Sequence, residues 1–394
     1  MKVLHVVTLH TPTHAFGGPT RVALSLTRGL RERGHQAVLA ALGDEFGPGP
    51  LPRTVDGVPV RLFPARHVLP RFEVSGITSP ALLARARRWA RAADIVHVHL
   101  MRDLITLPFA LLAMSAGTPV VLQTHGMVDP TDKRVARLVD VLGTRRALRR
   151  ADAVLYLTER ERRETAAVAA PAPLAPAWRL VNGVPPQDRS GARTGPPVVL
   201  YLARVQAGKR PEDFVRAMPA VLARHPGARF VMAGPDTGAL AGTLALAESL
   251  GVRGSLDYLG PLDPPQAMAQ LRRAHALMVP SVQDAFSMAV LEAMSVGTPV
   301  VVARTTGLAP DVARVGAGRT VDVSDAPDAD NGPAFARALL GLLEPAAHQA
   351  AAEAAWRLVR DRFTIDAVVG DLLDVYRRVR ADAPSRAFRP ICQR

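Results

Sequence analysis

Cysteine is nearly missing from this chain. Its 394 residues hold one, Cys392, which excludes an internal disulfide framework and any cysteine-based metal site. Lysine is almost as scarce: Lys2, Lys133 and Lys209 are the only ones among 49 basic residues, and arginine makes up the rest. Aromatic residues account for 5% of the chain. With no RNA- or DNA-binding motif beside them, they count against a base-stacking nucleic-acid binder. No apolar run reaches about 18 residues, so no membrane span is expected. The loop after the first apolar run is not a G-x-G-x-x-G fingerprint, and no Walker A pattern occurs anywhere, which removes the two commonest phosphate-binding signatures. The opening run, residues 1–7, is too short for a signal peptide and has no cleavage pattern behind it. It reads as a buried strand, and a cytoplasmic location is the expectation.

What is present is apolar and basic. Apolar residues make up 48% and charged residues 21%, the balance of a globular chain. At this length two domains are the default. Residues 1–190 carry 26 Lys+Arg against 15 Asp+Glu, or +11; residues 191–394 carry 23 against 20, or +3, which together give the net +14. Either an arginine-rich composition or an anionic partner of the first half accounts for the skew.

Short apolar runs alternate with amphipathic stretches throughout. Strands are predicted at residues 3–9, 36–42, 58–63, 95–99, 120–124 and 153–157, then at 198–202, 229–233, 256–259, 276–279 and 300–303. Helical patterns lie between most of them, such as 20–34 and 211–225. This alternation predicts an α/β protein with parallel sheets wrapped on both faces. A near-repeat supports two similarly built halves. Ala113-Met114-Ser115-Ala116-Gly117-Thr118-Pro119-Val120-Val121 returns as Ala293-Met294-Ser295-Val296-Gly297-Thr298-Pro299-Val300-Val301, each time a helix stopped by Gly, blocked by Pro and followed by a strand. Residues 171–197 are rich in Pro, Gly and Ala without periodicity. The division that follows is a first domain over 1–185, a linker over 186–197, a second domain over 198–364, and a closing helix over 365–380 that packs back, followed by a tail to 394. Two doubly wound domains facing each other form a cleft at their strand C-terminal edges.

Four segments carry candidate chemistry. In the first, Gly17-Gly18 lets the backbone approach a ligand, and Thr20 is a candidate N-cap for the next helix; a plain strand-to-helix turn explains the loop equally well. In the second, His125 follows a buried strand and projects from its C-terminal end, although a structural role fits a single histidine as well. His97 and His99 share a strand face but have no Cys or acidic ligand nearby, which makes a poor metal site. The third places Arg204 and Lys209 after strand 198–202. Two cations at a strand's C-terminal edge suit a diphosphate, whereas Arg210 reads as a solvated surface charge. In the fourth, Asp284 lies in a loop and Glu292 eight residues later on a helix that ends at Gly297. A helical path between them would span about 12 Å, too far for one acid–base dyad and suited to separate hydroxyl contacts. The first free N–H groups of that helix suit phosphate.

Together these elements resemble the family-4 group of retaining glycosyltransferases with the GT-B fold. The resemblance runs from the Gly-Gly loop and Leu26-x3-Leu30-x3-Gly34-His35, through Ala203-Arg204 and Lys209, to Leu291-Glu292-Ala293-Met294-x2-Gly297-Thr298-Pro299. It implies two Rossmann-like domains, the first for the acceptor and the second for a nucleotide-diphosphate sugar, UDP- or GDP-linked. Arg204 and Lys209 would hold the diphosphate, Glu292 the ribose hydroxyls, and Asp284 the transferred sugar. Backbone N–H groups of Phe286 and Ser287 would meet phosphate, and the backbone at Leu262 the base. His125 would lie near the sugar, and Gly17 and Gly18 in the loop that closes over the donor. Asp284 stands where the family usually has Glu, and Ala285 and Ser287 where it often has Gly.

The mechanism this implies is retaining and metal-free. The acceptor attacks from the leaving phosphate's side, a phosphate oxygen takes its proton, and no cofactor beyond the donor is required. A polysaccharide or glycolipid precursor is the first expectation for the acceptor, with a small natural product as the alternative. A nucleotide-sugar epimerase or phosphorylase of the same fold is the rival enzyme. Lys133, Arg134, Arg137, Arg145, Arg146, Arg149 and Arg150 cluster in a helical, partly apolar stretch, where peripheral contact with an anionic membrane competes with a solvated basic face.

Overall fold

A computed structural model describes residues 1–12, 18–191, 193–282, 284–326 and 329–381. Gly17 and Cys392 lie outside the described residues. The chain divides into two compact units: the first is residues 1–183 together with the stretch from Ile365 onward, and the second is Val184–Thr364.

The first unit is built on β1 (Lys2–His10), β2 (Gln36–Gly43), β3 (Thr54–Val55) and β4 (Val58–Pro64). A small ribbon of β5 (Arg66–His67) and β6 (Ile77–Thr78) follows, and then β7 (Ile95–His99), β8 (Val120–Gln123), β9 (Ala153–Tyr156) and β10 (Ala177–Arg179). The main sheet runs β10-β9-β8-β7-β1-β2-β4-β3 and is parallel except for the β3–β4 pair. The strand order reverses between β1 and β7, the point at which ligands bind in such sheets. Every residue of β1 except the first is buried, as is all of β7, which explains the unbroken apolar runs. The helix Ile365–Ala381 packs onto Gly18–Glu32, where Arg33 donates to the Asp366 carboxylate at 2.6 Å.

The second unit contains β11 (Val198–Leu202), β12 (Arg229–Ala233), β13 (Leu256–Tyr258), β14 (Ala276–Val279), β15 (Val300–Ala303) and β16 (Gly318–Val321). Its order, β13-β12-β11-β14-β15-β16, is wholly parallel and switches direction between β11 and β14. The near-repeat marks the same connection in both units. Helices Thr106–Ser115 and Met288–Ser295 each end before a left-handed glycine, Gly117 at φ 79° and Gly297 at φ 74°. The N–H groups of these glycines close on Met114 O and Met294 O, and β8 and β15 follow at once.

Several expectations need correction. Thr20 is not an N-cap: helix Gly18–Glu32 begins before it, and its hydroxyl donates to Leu9 O at 2.7 Å. The 211–225 pattern splits into Pro211–Arg216 and Met218–Arg224, because Pro219 has no N–H to carry the ladder across. β10 lies inside the Pro-rich stretch read as patternless, on the sheet edge where its short run needs only one neighbour. Segment 186–197 is fastened to the second unit. Trp356 Nε1 donates to Gln187 O, Arg189 pairs with Glu353 at 2.8 Å, and Arg193 donates to Thr298.

Candidate functional site

In the second unit the two loops that leave β11 and β14 lie side by side because those strands are neighbours. Arg204 follows β11 and is exposed, and its carbonyl accepts the Tyr201 hydroxyl at 3.0 Å. A single 3-10 turn, Ala207–Lys209, then presents Lys209. Across from it, after β14, Asp284 accepts the Lys209 ammonium at 2.8 Å, with the two side chains 20% and 14% exposed. Ser281 ties the loops further by donating to Gly208 O at 3.3 Å, and Gly307 N donates to Asp284 O at 3.0 Å. A cation and a carboxylate are thus held at the strand C-terminal edge, half-buried, where charge interactions exceed those in bulk water.

Arg210 contradicts the surface reading. It is buried at φ 54°, donates to Asp213 at 2.9 Å, and donates to the carbonyls of Ala326 and Ala329. Asp213 is fully buried and also accepts from Arg216 and from the Asn331 side chain at 3.0 Å. This network anchors the end of the loop that carries Arg204 and Lys209. Ala326, Ala329 and Asn331 lie 116 to 119 residues away in sequence, so only the local Arg210–Asp213–Arg216 spacing hinted at it.

The chain stays in loop conformation through Phe286 and Ser287, both buried, and turns helical at Met288. The Ser287 side chain does not cap this helix, and the first N–H groups of a helix have no partner within it. Glu292 sits half-buried on it. Asp284 lies in the loop before this helix and Glu292 on the helix itself, as the pattern predicts. Leu262 is half-buried in the loop after β13. Gly234, absent from the sequence reading, ends β12: at φ 137° a Cβ there would lie 1.9 Å from Ala203 O. Only glycine lets that turn pack against the base of the Arg204 loop.

The first unit contributes a different chemistry. His125 follows β8 at φ 52°, an uncommon conformation for a non-glycine residue. It is held there by Glu161, which the sequence reading missed. The Glu161 carboxylate accepts from Thr124 Oγ1 and Gly126 N, flanking His125, and from Leu157 N, each at 2.6 Å. Burial raises the Glu161 carboxyl above its ordinary value, and these three donors oppose that shift. The sequence signal was Thr158 three residues earlier, whose hydroxyl caps Glu161 N at 3.1 Å.

His97 and His99 do share a face, and His5 joins them from β1, in register with His97. One ligand nitrogen of each lies within 4.8 Å of the others. The His97 and His99 rings are parallel to within 4°, at 4.6 Å between centroids, so their in-plane lone pairs do not converge on one ion. Chelation is therefore not supported. Burial depresses all three imidazoles, His5 to about 3. Gly18, predicted beside the donor, begins the helix Gly18–Glu32.

The family description "Glycosyl transferase 4-like domain" matches residues 17–178, and "Glycosyl transferases group 1" matches residues 187–339. The D-inositol 3-phosphate glycosyltransferase of Kineococcus radiotolerans is 30% identical over 402 residues, covering 93% of this chain and 91% of that protein. D-inositol 3-phosphate glycosyltransferase 2 of Catenulispora acidiphila is 33% identical over 223 residues, 52% of this chain and 50% of that protein. The match thus spans half the length of that relative. Among solved structures, Anabaena HepE in complex with UDP is similar with a TM-score of 0.72 at 16% identity, covering 96% of this chain and 100% of that one. Sucrose-phosphate synthase from Thermosynechococcus elongatus gives 0.72 at 17%, covering 97% and 100%. At these identities the likeness of the structures is one of fold. Two matched domains in tandem, two doubly wound sheets and a relative aligned over nearly its whole length agree: the chain belongs to the family-4 glycosyltransferases and has the GT-B fold.

Proposed function

We propose that the protein transfers a hexosyl group, with retention, from a UDP- or GDP-linked sugar to a hydroxyl acceptor. The observation that carries this reading is the Lys209–Asp284 pair at the β11/β14 switch point, with Arg204 exposed on the same loop. Arg204 and Lys209 offset the charge that builds on the diphosphate as the glycosidic bond breaks. Asp284 then exchanges the ammonium for a sugar hydroxyl. Glu292 binds the ribose, N–H groups at Phe286 and Ser287 meet phosphate, and the backbone at Leu262 meets the base. His125 is assigned to the transferred sugar. A leaving-group oxygen accepts the acceptor's proton, so the step requires no protein nucleophile, and the two cations take the place of a divalent metal. The UDP bound to HepE supports a uridine donor.

Titration calorimetry with UDP-, GDP-, ADP- and dTDP-sugars tests this. One nucleotide family should bind at micromolar Kd, and Glu292→Ala should weaken it by about 10–100-fold, as the loss of charge-assisted hydrogen bonds predicts. Unchanged affinity in that variant would overturn the donor assignment. Turnover that survives EDTA is the expected result for metal independence.

For the acceptor, the basic stretch favours a lipid-linked or polymeric precursor at a membrane surface. Helices Arg134–Val139 and Arg145–Arg150, joined by a π turn, leave Val135, Leu138, Val141 and Leu142 between 51% and 72% exposed. Lys133, Arg134, Arg137, Arg146 and Arg150 are exposed beside them. Arg149 does not take part, since it donates to Ala169 O and Ala170 O. No helix among the described residues is long and apolar enough to cross a membrane, so the contact is peripheral. The names of the relatives point instead to a phosphorylated cyclitol, and assays with both acceptor classes discriminate. With anionic liposomes, Leu138→Ser/Leu142→Ser should reduce pelleting by roughly tenfold or more, from lost apolar burial of about 1.5–3 kcal/mol per leucine. Equal pelleting of variant and wild type would refute the membrane contact.

A further inference from the structure

Three imidazoles form a hydrogen-bonded line that starts inside the first unit's sheet and ends at His125. His5 Nδ1 and His99 Nε2 are 3.1 Å apart, and His99 Nδ1 and His125 Nε2 are 2.7 Å apart. The ring centroids stand 5.5 and 5.0 Å apart, with tilts of 31° and 10°. Each centroid spacing exceeds its N···N distance by about the width of one ring, so the rings lie edge to edge and each shared proton sits along the line. His5 and His99 are fully enclosed, while His125 is half-buried at the open end.

A neutral imidazole has one N–H and one lone pair, so the line has two self-consistent settings. In one, every proton points inward and ends as an N–H on His5 Nε2. In the other, every proton points outward, and His5 Nε2 keeps only a lone pair. His5 Nε2 has no hydrogen-bond partner among the described residues. A buried N–H without an acceptor is the rarer and costlier defect, so the outward setting prevails. His5 Nδ1–H then donates to His99, His99 Nδ1–H donates to His125 Nε2, and His125 carries its own proton on Nδ1.

We propose that His5 and His99 are positioning residues that fix His125 as a neutral imidazole protonated on Nδ1. It then meets its ligand as a hydrogen-bond donor and not as a base. This rests on the reading of His125 as a ligand-facing residue. The partner it suits is an acceptor oxygen, such as a sugar hydroxyl or a phosphate oxygen. Removing His5 strands the His99 Nε2 lone pair and frees the line to reverse.

Long-range proton–nitrogen correlation spectra of the full chain, 15N-labelled at histidine and without substrate, decide the matter. In wild type, His125 should show a protonated Nδ1 and a bare Nε2. In His5→Phe the His99 and His125 signals should average or exchange places. In His5→Asn, whose amide donates from near the Nδ1 position, the wild-type pattern should return. A wild-type His125 protonated on Nε2 overturns the proposal even if His5→Phe does not fold, as does a pattern unmoved by His5→Phe. Because no donor is present, these outcomes are independent of the nucleotide titrations, which can fail or succeed separately.

Discussion

Lowering the pH from 7 to 5 should cost the first unit about 2 kcal/mol of stability through His5 alone, and buried His97, His99 and His125 add to the loss in the same direction. His5, His97 and His99 are neutral in the folded chain, with His5 held at about 3 and the other two well below 6.5. The unfolded chain takes up protons at these positions as the pH drops through 6.5, while the folded chain does not. The stabilisation is therefore complete above 6.5 and is lost progressively as pH falls toward the folded values. Buried Asp103 and Glu161, whose carboxyls burial raises, act in the opposite sense. The clean readout is therefore the difference in slope between wild type and His5→Phe, about 1.4 kcal/mol per pH unit below 6.5. Denaturant midpoints measured by circular dichroism across this range give it. Parallel slopes for the two proteins would show that His5 is not held neutral.

Asp213→Ala should be the most damaging single change in the second unit. It would leave the Arg210 guanidinium enclosed without its carboxylate and remove acceptors from Arg216 and Asn331. Breaking a buried pair from one side costs about 3–5 kcal/mol, which corresponds to roughly 10 °C in the melting of a unit of this size. The apolar double variant Arg210→Met/Asp213→Leu should recover much of that loss, because no charge is then stranded. Calorimetric scans of the three proteins test both statements. If Asp213→Ala melts with wild type, the network does not support the loop. The same loop carries Lys209, so nucleotide affinity should fall in Asp213→Ala even below its melting range.

The sequence made the sheets legible because strands buried on both faces are continuous apolar runs. Eleven strands were predicted, and each is found within one or two residues at its ends. Short or edge strands such as β3, β10 and β16 were invisible, since they need few apolar residues. The Lys209–Asp284 contact was foreseeable only as two loops at strand ends; the adjacency of β11 and β14 creates it. His5 was passed over because its relation to His99 spans 94 residues and depends on strand register. Arg210 was misread for a related reason, since an arginine's exposure is set by the carboxylate the fold brings to it.

The helix Ile365–Ala381 belongs to the first unit, although the whole second unit is encoded before it. Its Tyr376 hydroxyl meets His97 Nδ1 at 2.7 Å, and Tyr376 is itself fully enclosed. During synthesis the second unit can therefore complete its core while the first still lacks the helix that meets His97. The half of the protein made first is finished last. A recombinant fragment that stops near residue 183 would deprive His97 of the Tyr376 hydroxyl and uncover helix Gly18–Glu32, so the first unit is best isolated with the closing helix joined back to it.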